Sequence, residues 1–385
     1  MNYTKSSTNL TNKNNSTNPA DDKIFSHNKL CQESHTCITV DFVVPYGAFG
    51  GIESVLNDVA LYLDKINVHV RIIQLSKSTT NWVNPQIEFY MISTDHPLRD
   101  VTDYIPICKQ YLSRLGAPDI IIATPFPMLT MILKLALLEN HMNSRIVSWL
   151  HASIKAYEDN AAGGAECLTY ADLVLVLSRN NFNIIHTYDQ KIPVRLIRNP
   201  IDISSLHFHS EYDTKSRNLY YIGRLSPEKN VSLIIKAISN AKDCWRLTII
   251  GEGQEKKELT KLVSTLNLNN QITFTGWKDN PWDYVQSPAA LILASEYEGF
   301  SLVCYEALAS GIPVISTKVD GVTDIICNGV NGYLYDSQTE LTDILDNMAL
   351  HSIPGFNPSE CKASILPYNK PDVLKSISEN ILSVL

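Results

Sequence analysis

The features this chain is short of narrow it first. Its eight cysteines, at 31, 37, 108, 167, 244, 304, 327 and 361, are scattered and include no Cys-x-x-Cys pair. That spacing excludes a zinc-ribbon framework and a disulfide-stapled scaffold, and points to a reducing compartment. Positive charge is also scarce. Lys and Arg number 32 against 40 Asp and Glu, a formal net charge of −8, which is the wrong sign for a general nucleic-acid footprint. A local basic pocket for a small anion stays open. The first residues, MNYTKSSTNLTNKNNSTNPADDK, lack the apolar core of a secretory signal. The most apolar run, DIIIATPFPMLTMILKLALL, is broken by two prolines and Lys134, and reads as a strand plus a buried helix rather than a membrane span. His207 and His209 form a close pair without an accompanying Cys or acid cluster, so no metal site is expected. These absences lead to the expectation of a cytoplasmic protein, with peripheral contact at the inner face of a membrane left open.

What is present is a chain of 385 residues, longer than one core usually serves, so two domains are expected. Residues 1–36, rich in Asn, Ser and Thr, hold too little apolar surface to offset ordering entropy and are expected to form a disordered polar tail. From Cys37 the strands CITVDFVVP, HVRIIQLS, IEFYMIS, DIIIAT, RIVSWLH and DLVLVLS alternate with helical segments. After Arg198-Asn199-Pro200 the pattern restarts with NLYYIGRL, WRLTIIGEG, QITFTG, ALILAS and PVIST. Strands this continuously apolar belong to parallel sheets covered on both faces. The expected fold is therefore α/β, with two doubly wound domains at 37–205 and 206–370, and a C-terminal helix at 371–385. Such domains bind ligands at the carboxyl ends of their strands.

Four strand ends carry candidates. VVPYGAFGGIESV places Gly47, Gly50 and Gly51 between strand and helix, where a ligand can approach the backbone and the helix start. RIVSWLH ends in His151, which by itself is as readily an ordinary loop residue. YYIGRLSPEKN sets Arg224 and Lys229 after a strand, with Lys229 where the next helix begins. A cation there opposes the helix dipole, so an anion such as phosphate is expected beside it. Finally, SEYEGFSLVCYEALASGIPVIST spaces Glu298 and Glu306 eight positions apart around a turn with Ser301 as a plausible N-cap. Amides around Gly299–Leu302 then form an anion nest. Carboxylates are poor phosphate ligands but good acceptors for sugar hydroxyls. A diphosphate flanked by two polyols, a sugar nucleotide, suits the set. The Gly251-x-Gly253 of IIGEGQEKKEL has Lys256 where a dinucleotide fingerprint needs its third glycine, and reads as a tight turn.

Glu298 and Glu306 together resemble the E-x7-E motif of the retaining glycosyltransferases of family 4, which have the GT-B fold. FGGIES, VSWLH, YYIGRLSPEKN, LTIIGEGQEKKEL, ITFTGWKDN and GFSLVCYEALASGIPVIST extend the resemblance over about residues 38–336. FGGIESV, GWKDNPWDYV and SEYEGFSLVCYEAL look most like the bacterial lipopolysaccharide galactosyltransferases that use UDP-galactose. The resemblance implies transfer of a hexose, galactose or glucose, from a UDP-sugar to a surface glycan, lipid-linked or free, with no obligatory metal or other cofactor. It places Gly50 and Gly51 near the diphosphate and acceptor, and His151 near the donor hexose. Arg224 and Lys229 would hold the diphosphate. Glu298 with Gly299, Phe300 and Ser301 would hold the hexose, Leu302 would cap the phosphate, and Glu306 would take the ribose hydroxyls. Backbone at Trp277 and Lys278 would meet the base. A UDP-N-acetylglucosamine-dependent transferase with another glycan, lipid or protein acceptor, and a UDP-sugar epimerase of the same fold, stay open as alternatives.

Because residues 1–36 lack apolar content, their removal is expected to leave Tm and donor hydrolysis unchanged. A fall of several degrees on truncation would show instead that the segment packs on a domain.

Overall fold

A strand that is apolar at every position must be covered on both faces, and that requirement organises the chain. A computed structural model describes residues 37–47, 51–93, 103–203, 215–298, 300–353 and 355–385. The segment 1–36, Gly50, Gly299, the pair His207 and His209, and the expected boundary between residues 205 and 206 lie outside the described residues.

The first sheet contains β1 (Thr39–Val44), β2 (His69–Gln74), β3 (Glu88–Met91), β4 (Ile120–Ala123), β5 (Arg145–Trp149), β6 (Leu173–Val176) and β7 (Val194–Leu196). They run in the order β3-β2-β1-β4-β5-β6-β7, every pair parallel. Its helices are α1 (Gly51–Lys65), α2 (Tyr104–Leu115), α3 (Pro127–Glu139), α4 (Ile154–Asp159) and α5 (Arg179–Tyr188). The period-two pleat of β1 shows how both faces are used. Val40, Phe42 and Val44 join one buried cluster with Val55, Leu56, Val59 and Leu63 of α1. Val43 points the other way, into the cluster of α2 and α3.

The second sheet repeats the plan with β8 (Asn218–Ile222), β9 (Arg246–Ile250), β10 (Ile272–Gly276), β11 (Pro288–Ile292), β12 (Val314–Thr317) and β13 (Gly332–Tyr335), in the order β10-β9-β8-β11-β12-β13. All its pairs are parallel. Around it stand α6 (Val231–Asn240), α7 (Lys256–Thr265), α8 (Leu302–Ala309), α9 (Gln338–Ala349) and α10 (Pro358–Ile365). In each sheet the strand order reverses once, at β1/β4 and at β8/β11, and a crevice opens at the strand ends there.

The last helix, α11 (Lys370–Leu382), returns to the first sheet. Val373, Leu374, Ile377 and Ile381 fall on one helical face and complete the core under α1, and Lys370 Nζ pairs with Asp58 of α1 at 2.8 Å. The chain thus passes between the sheets twice. The two crossings are bonded to each other: Ile201 N–H donates to the Tyr368 carbonyl (2.9 Å) and Lys370 N–H to the Ile201 carbonyl (3.0 Å). Arg198 lies 5.1 Å above the Tyr368 ring at the same place. Among the described residues no helix is long and apolar enough to cross a membrane.

Ile377 is fully buried between α11 and α1. Ile377→Ala is expected to destabilise the protein by about 2–5 kcal/mol, the range for a large-to-Ala cavity. Urea unfolding of the two proteins measures it, and an unchanged midpoint would mean that α11 is not part of this core.

Candidate functional site

At the reversal point of the second sheet, the loop after β8 is packed against the loop after β9 so closely that side chains are excluded. A Cβ on Gly251 would lie 1.9 Å from the Gly223 carbonyl oxygen, and one on Gly253 would lie 2.2 Å from that of Leu225. Main-chain bonds hold the two loops together, from Gly223 N–H to Ile250 O (3.1 Å) and from Leu225 N–H to Glu252 O (2.9 Å). The Gly-x-Gly of this stretch therefore serves close packing behind Arg224 and Lys229, a use that its reading as an isolated tight turn does not include.

Lys229 ends a single 3-10 turn, Pro227–Lys229, and α6 starts two residues later. Its ammonium meets Glu298 Oε1 at 2.6 Å, with both side chains mostly buried. Ser295 Oγ donates to the same oxygen at 2.8 Å, and Glu296 N–H donates to the Glu228 carbonyl at 2.8 Å, tying the β8 and β11 loops together. The anion expected beside Lys229 is thus, in this structure, the Glu298 carboxylate. Arg224 is exposed, and its carbonyl accepts the Tyr221 hydroxyl at 2.6 Å. Burial, reinforced by the nearby Glu298 and Glu228, holds that hydroxyl well above the usual phenol range.

Glu306 lies on α8 and accepts from Trp282 Nε1 at 3.0 Å. Burial raises its carboxyl pKa, and the Trp282 bond partly opposes the rise. Trp282 was not singled out from the sequence. The signal was its place in GWKDNPWDYV, since a half-buried indole N–H needs an acceptor. Trp277 is 64% exposed, and Lys278 Nζ sits 4.4 Å from the centre of the Tyr284 ring. Ser301 occupies the cap position of α8, but its side chain makes no cap bond. This corrects the N-cap expectation. A ψ of 86° departs from the extended geometry that aims a cap oxygen at the first-turn amides. Phe300 stacks on Tyr305 at 3.9 Å and packs against the cores of both sheets, which leaves its main chain as the part available to a ligand.

The first sheet supplies the opposing wall. A Cβ on Gly51 would come within 2.6 Å of Leu302 Cδ1, so the starts of α1 and α8 touch. Free N–H groups at a helix start attract anions, and here two such starts converge. His151, just past β5, is 7% exposed, and its ring stacks on Trp149 at 4.9 Å. Its Nε2 is buried and has no hydrogen-bond partner among the described residues. Burial pushes its pKa down to about 3, so the imidazole is neutral near pH 7. The structure sets Gly51 against Leu302 and Lys229 against Glu298, with Leu302 and Glu306 on α8, while His151, Arg224 and the pair Trp277 and Lys278 stand just past the carboxyl ends of β5, β8 and β10. Cations and amides to hold an anion stand beside carboxylates that accept hydroxyls. Among the described residues no group of three His, Cys, Asp or Glu is placed to hold a metal ion.

Comparison with known proteins agrees with the resemblance seen in the motifs. Residues 202–350 match the family described as glycosyl transferases group 1. The lipopolysaccharide 1,6-galactosyltransferase of Escherichia coli strain K12 is 31% identical over 198 residues, covering 49% of this chain and 54% of that protein. The chain thus spans about half the length of the curated relatives it matches. Among solved structures, the lipopolysaccharide outer core galactosyltransferase WaaB in its apo form superposes with a TM-score of 0.78, covering 90% of this chain and 100% of that one at 21% identity. Anabaena Alr3699/HepE in complex with UDP and glucose gives 0.71, with 90% and 100% coverage at 19% identity. The chain has the GT-B fold.

A His with a folded pKa of about 3 against an unfolded 6.5 binds fewer protons folded than unfolded. Stability is then lost as pH falls from about 6.5 toward 3. His151→Gln lacks this component, and its Tm is expected to fall less than that of the wild type between pH 7 and pH 4. Identical pH profiles would show that the imidazole is not held neutral.

Proposed function

We propose that the protein transfers a hexose, galactose or glucose, from a UDP-sugar to a bacterial surface glycan such as lipopolysaccharide core, with retention at the anomeric carbon. The observation that carries this reading is the disposition of the two carboxylates about the start of α8. Glu298 is held by Lys229 and Ser295, Glu306 is held by Trp282, and the amides of the α8 start lie between them. A UDP-sugar has the same layout, a diphosphate between hexose and ribose. The matched family, and relatives named as lipopolysaccharide galactosyltransferases, support the same class. The HepE structure with UDP and glucose supports the donor type.

In the proposed reaction, the bond between the anomeric carbon and the diphosphate oxygen breaks, and an acceptor hydroxyl bonds to that carbon from the same face and passes its proton to the departing diphosphate oxygen. Negative charge grows on the leaving UDP. Arg224, Lys229 and the two helix starts stabilise it without reorganising, because they are already in place. No metal is required in this account, since fixed cations and amides take its role. Glu298 shares Oε1 with Lys229 and Ser295 and offers Oε2 to a hexose hydroxyl. Neutral His151 adds a hydrogen-bonding group without adding charge next to the sugar. The acceptor approaches from the first sheet.

Arg224→Ala is expected to lower kcat by about 10²–10³ at saturating donor, with a much smaller effect on donor Kd. Lys229→Ala should cost at least as much, because it also leaves Glu298 without its counter-ion. Intact turnover in both variants would sink the phosphate assignment. In calorimetry, Glu306→Ala should weaken UDP and UDP-sugar alike, by about 1–3 kcal/mol, whereas Glu298→Gln should spare UDP and weaken only the intact donor. The reverse pattern would exchange the two roles. A panel of nucleotide sugars, each with and without acceptor glycan, separates transfer from isomerisation of the donor alone.

A further inference from the structure

The turn that carries His151 is held more firmly than its neighbours. The Tyr157 hydroxyl accepts two successive main-chain N–H groups, from His151 at 3.0 Å and from Ala152 at 2.9 Å. Asn181 takes the next groups: its Nδ2 donates to the Ala152 carbonyl at 2.8 Å, and its Oδ1 accepts from Ile154 N–H at 2.9 Å. Tyr157 and Asn181 are 6% and 3% exposed. Tyr157 is braced edge-on by Phe126, with ring centres 6.4 Å apart.

Only one of these four bonds, from the Ile154 N–H, also serves a helix start. Ser153 already caps α4, accepting from Ala156 N–H, and Ser178 caps α5, accepting from Asn181 N–H. None of the four extends the sheet, since β5 stops at Trp149. The two Tyr157 bonds fix the peptides on either side of the His151 side chain, and the two Asn181 bonds fix the next two peptides along the turn. That side chain is itself clamped on Trp149, with a buried Nε2 that no described residue satisfies. An unsatisfied buried nitrogen on an overdetermined turn is a group held ready for a partner that the chain does not supply.

We infer that Tyr157 and Asn181 are positioning residues for His151, acting on hexose transfer only by fixing the backbone that carries its imidazole. This rests on the proposed role of His151 beside the donor hexose. Both are buried and lie on α4 and α5 rather than on a strand. Tyr157→Phe keeps the ring and deletes the shared acceptor. Asn181→Asp keeps Oδ1 and replaces the donor to Ala152 by an oxygen that repels its carbonyl, at the third position of α5, where an acid suits the helix dipole.

The test is a double-mutant cycle with His151→Ala, reading kcat and donor KM for UDP-sugar turnover, with Tm recorded for every variant. Tyr157→Phe is expected to lower kcat by about 10–100-fold, the scale of a small misplacement of a reacting group, with donor KM nearly unchanged. In the His151→Ala background the same change should add almost nothing, because residues acting as one unit are not additive. Asn181→Asp should behave in the same way, and carries the cycle alone if Tyr157→Phe lowers Tm too far for assay. Full additivity in the cycle would overturn the inference while leaving the transferase reading intact. A harmless His151→Ala would remove the role of His151 and the inference with it. A wild-type protein that turns over no nucleotide sugar would overturn both.

Discussion

Parallel pairing sends the carboxyl end of every strand to the same edge of its sheet, and the rest of this structure depends on that constraint. The loops after β1 and β5 are gathered on one edge, and those after β8 and β11 on the other. Each group sits at or beside the point where the strand order reverses, which leaves room for side chains to converge. The touching starts of α1 and α8 then bring together main-chain N–H groups that no helix can satisfy internally. The chemistry of the cleft follows from where strands stop, before any particular acid or base is considered.

Within that frame the Lys229–Glu298 pair sets the local charge. Two partly buried ions of opposite sign cost less together than either would alone, and losing one leaves the other stranded. The pair brings the β8 and β11 loops to a common position, helped by Ser295 and by the bond from Glu296 to the Glu228 carbonyl. Arg224 is exposed and has no ion pair among the described residues.

Much of this was legible in the sequence because parallel strands advertise themselves. DIIIAT and DLVLVLS read as buried strands and are buried strands, and a helix, α5, follows the second of them. The short edge strands β7 and β13 were not legible. Val194–Leu196 and Gly332–Tyr335 are only partly buried and carry no long apolar run. The acids of the site were found by their spacing, but their partners were not. Lys229 and Glu298 are 69 positions apart, and Trp282 and Glu306 are 24 apart. Such pairings are made by the fold and leave no local pattern. The same holds for α11, whose apolar stripe announces a helix without naming α1 as its seat. Tyr157 and Asn181 were passed over because a buried Tyr and Asn look alike in sequence whether they serve packing or a turn.

The bonded crossings carry a mechanical consequence. A body joined to another by one strand of chain can swing and twist freely, and one joined by two separate strands resists twisting. Here the two strands of chain are fastened side by side through Ile201, Tyr368 and Lys370. Paired crossings of this kind oppose twisting and sliding more than they oppose rocking about the line where they meet. Phe300, seated in both cores, stands right beside that line, its ring centre 6.4 Å from that of Tyr368.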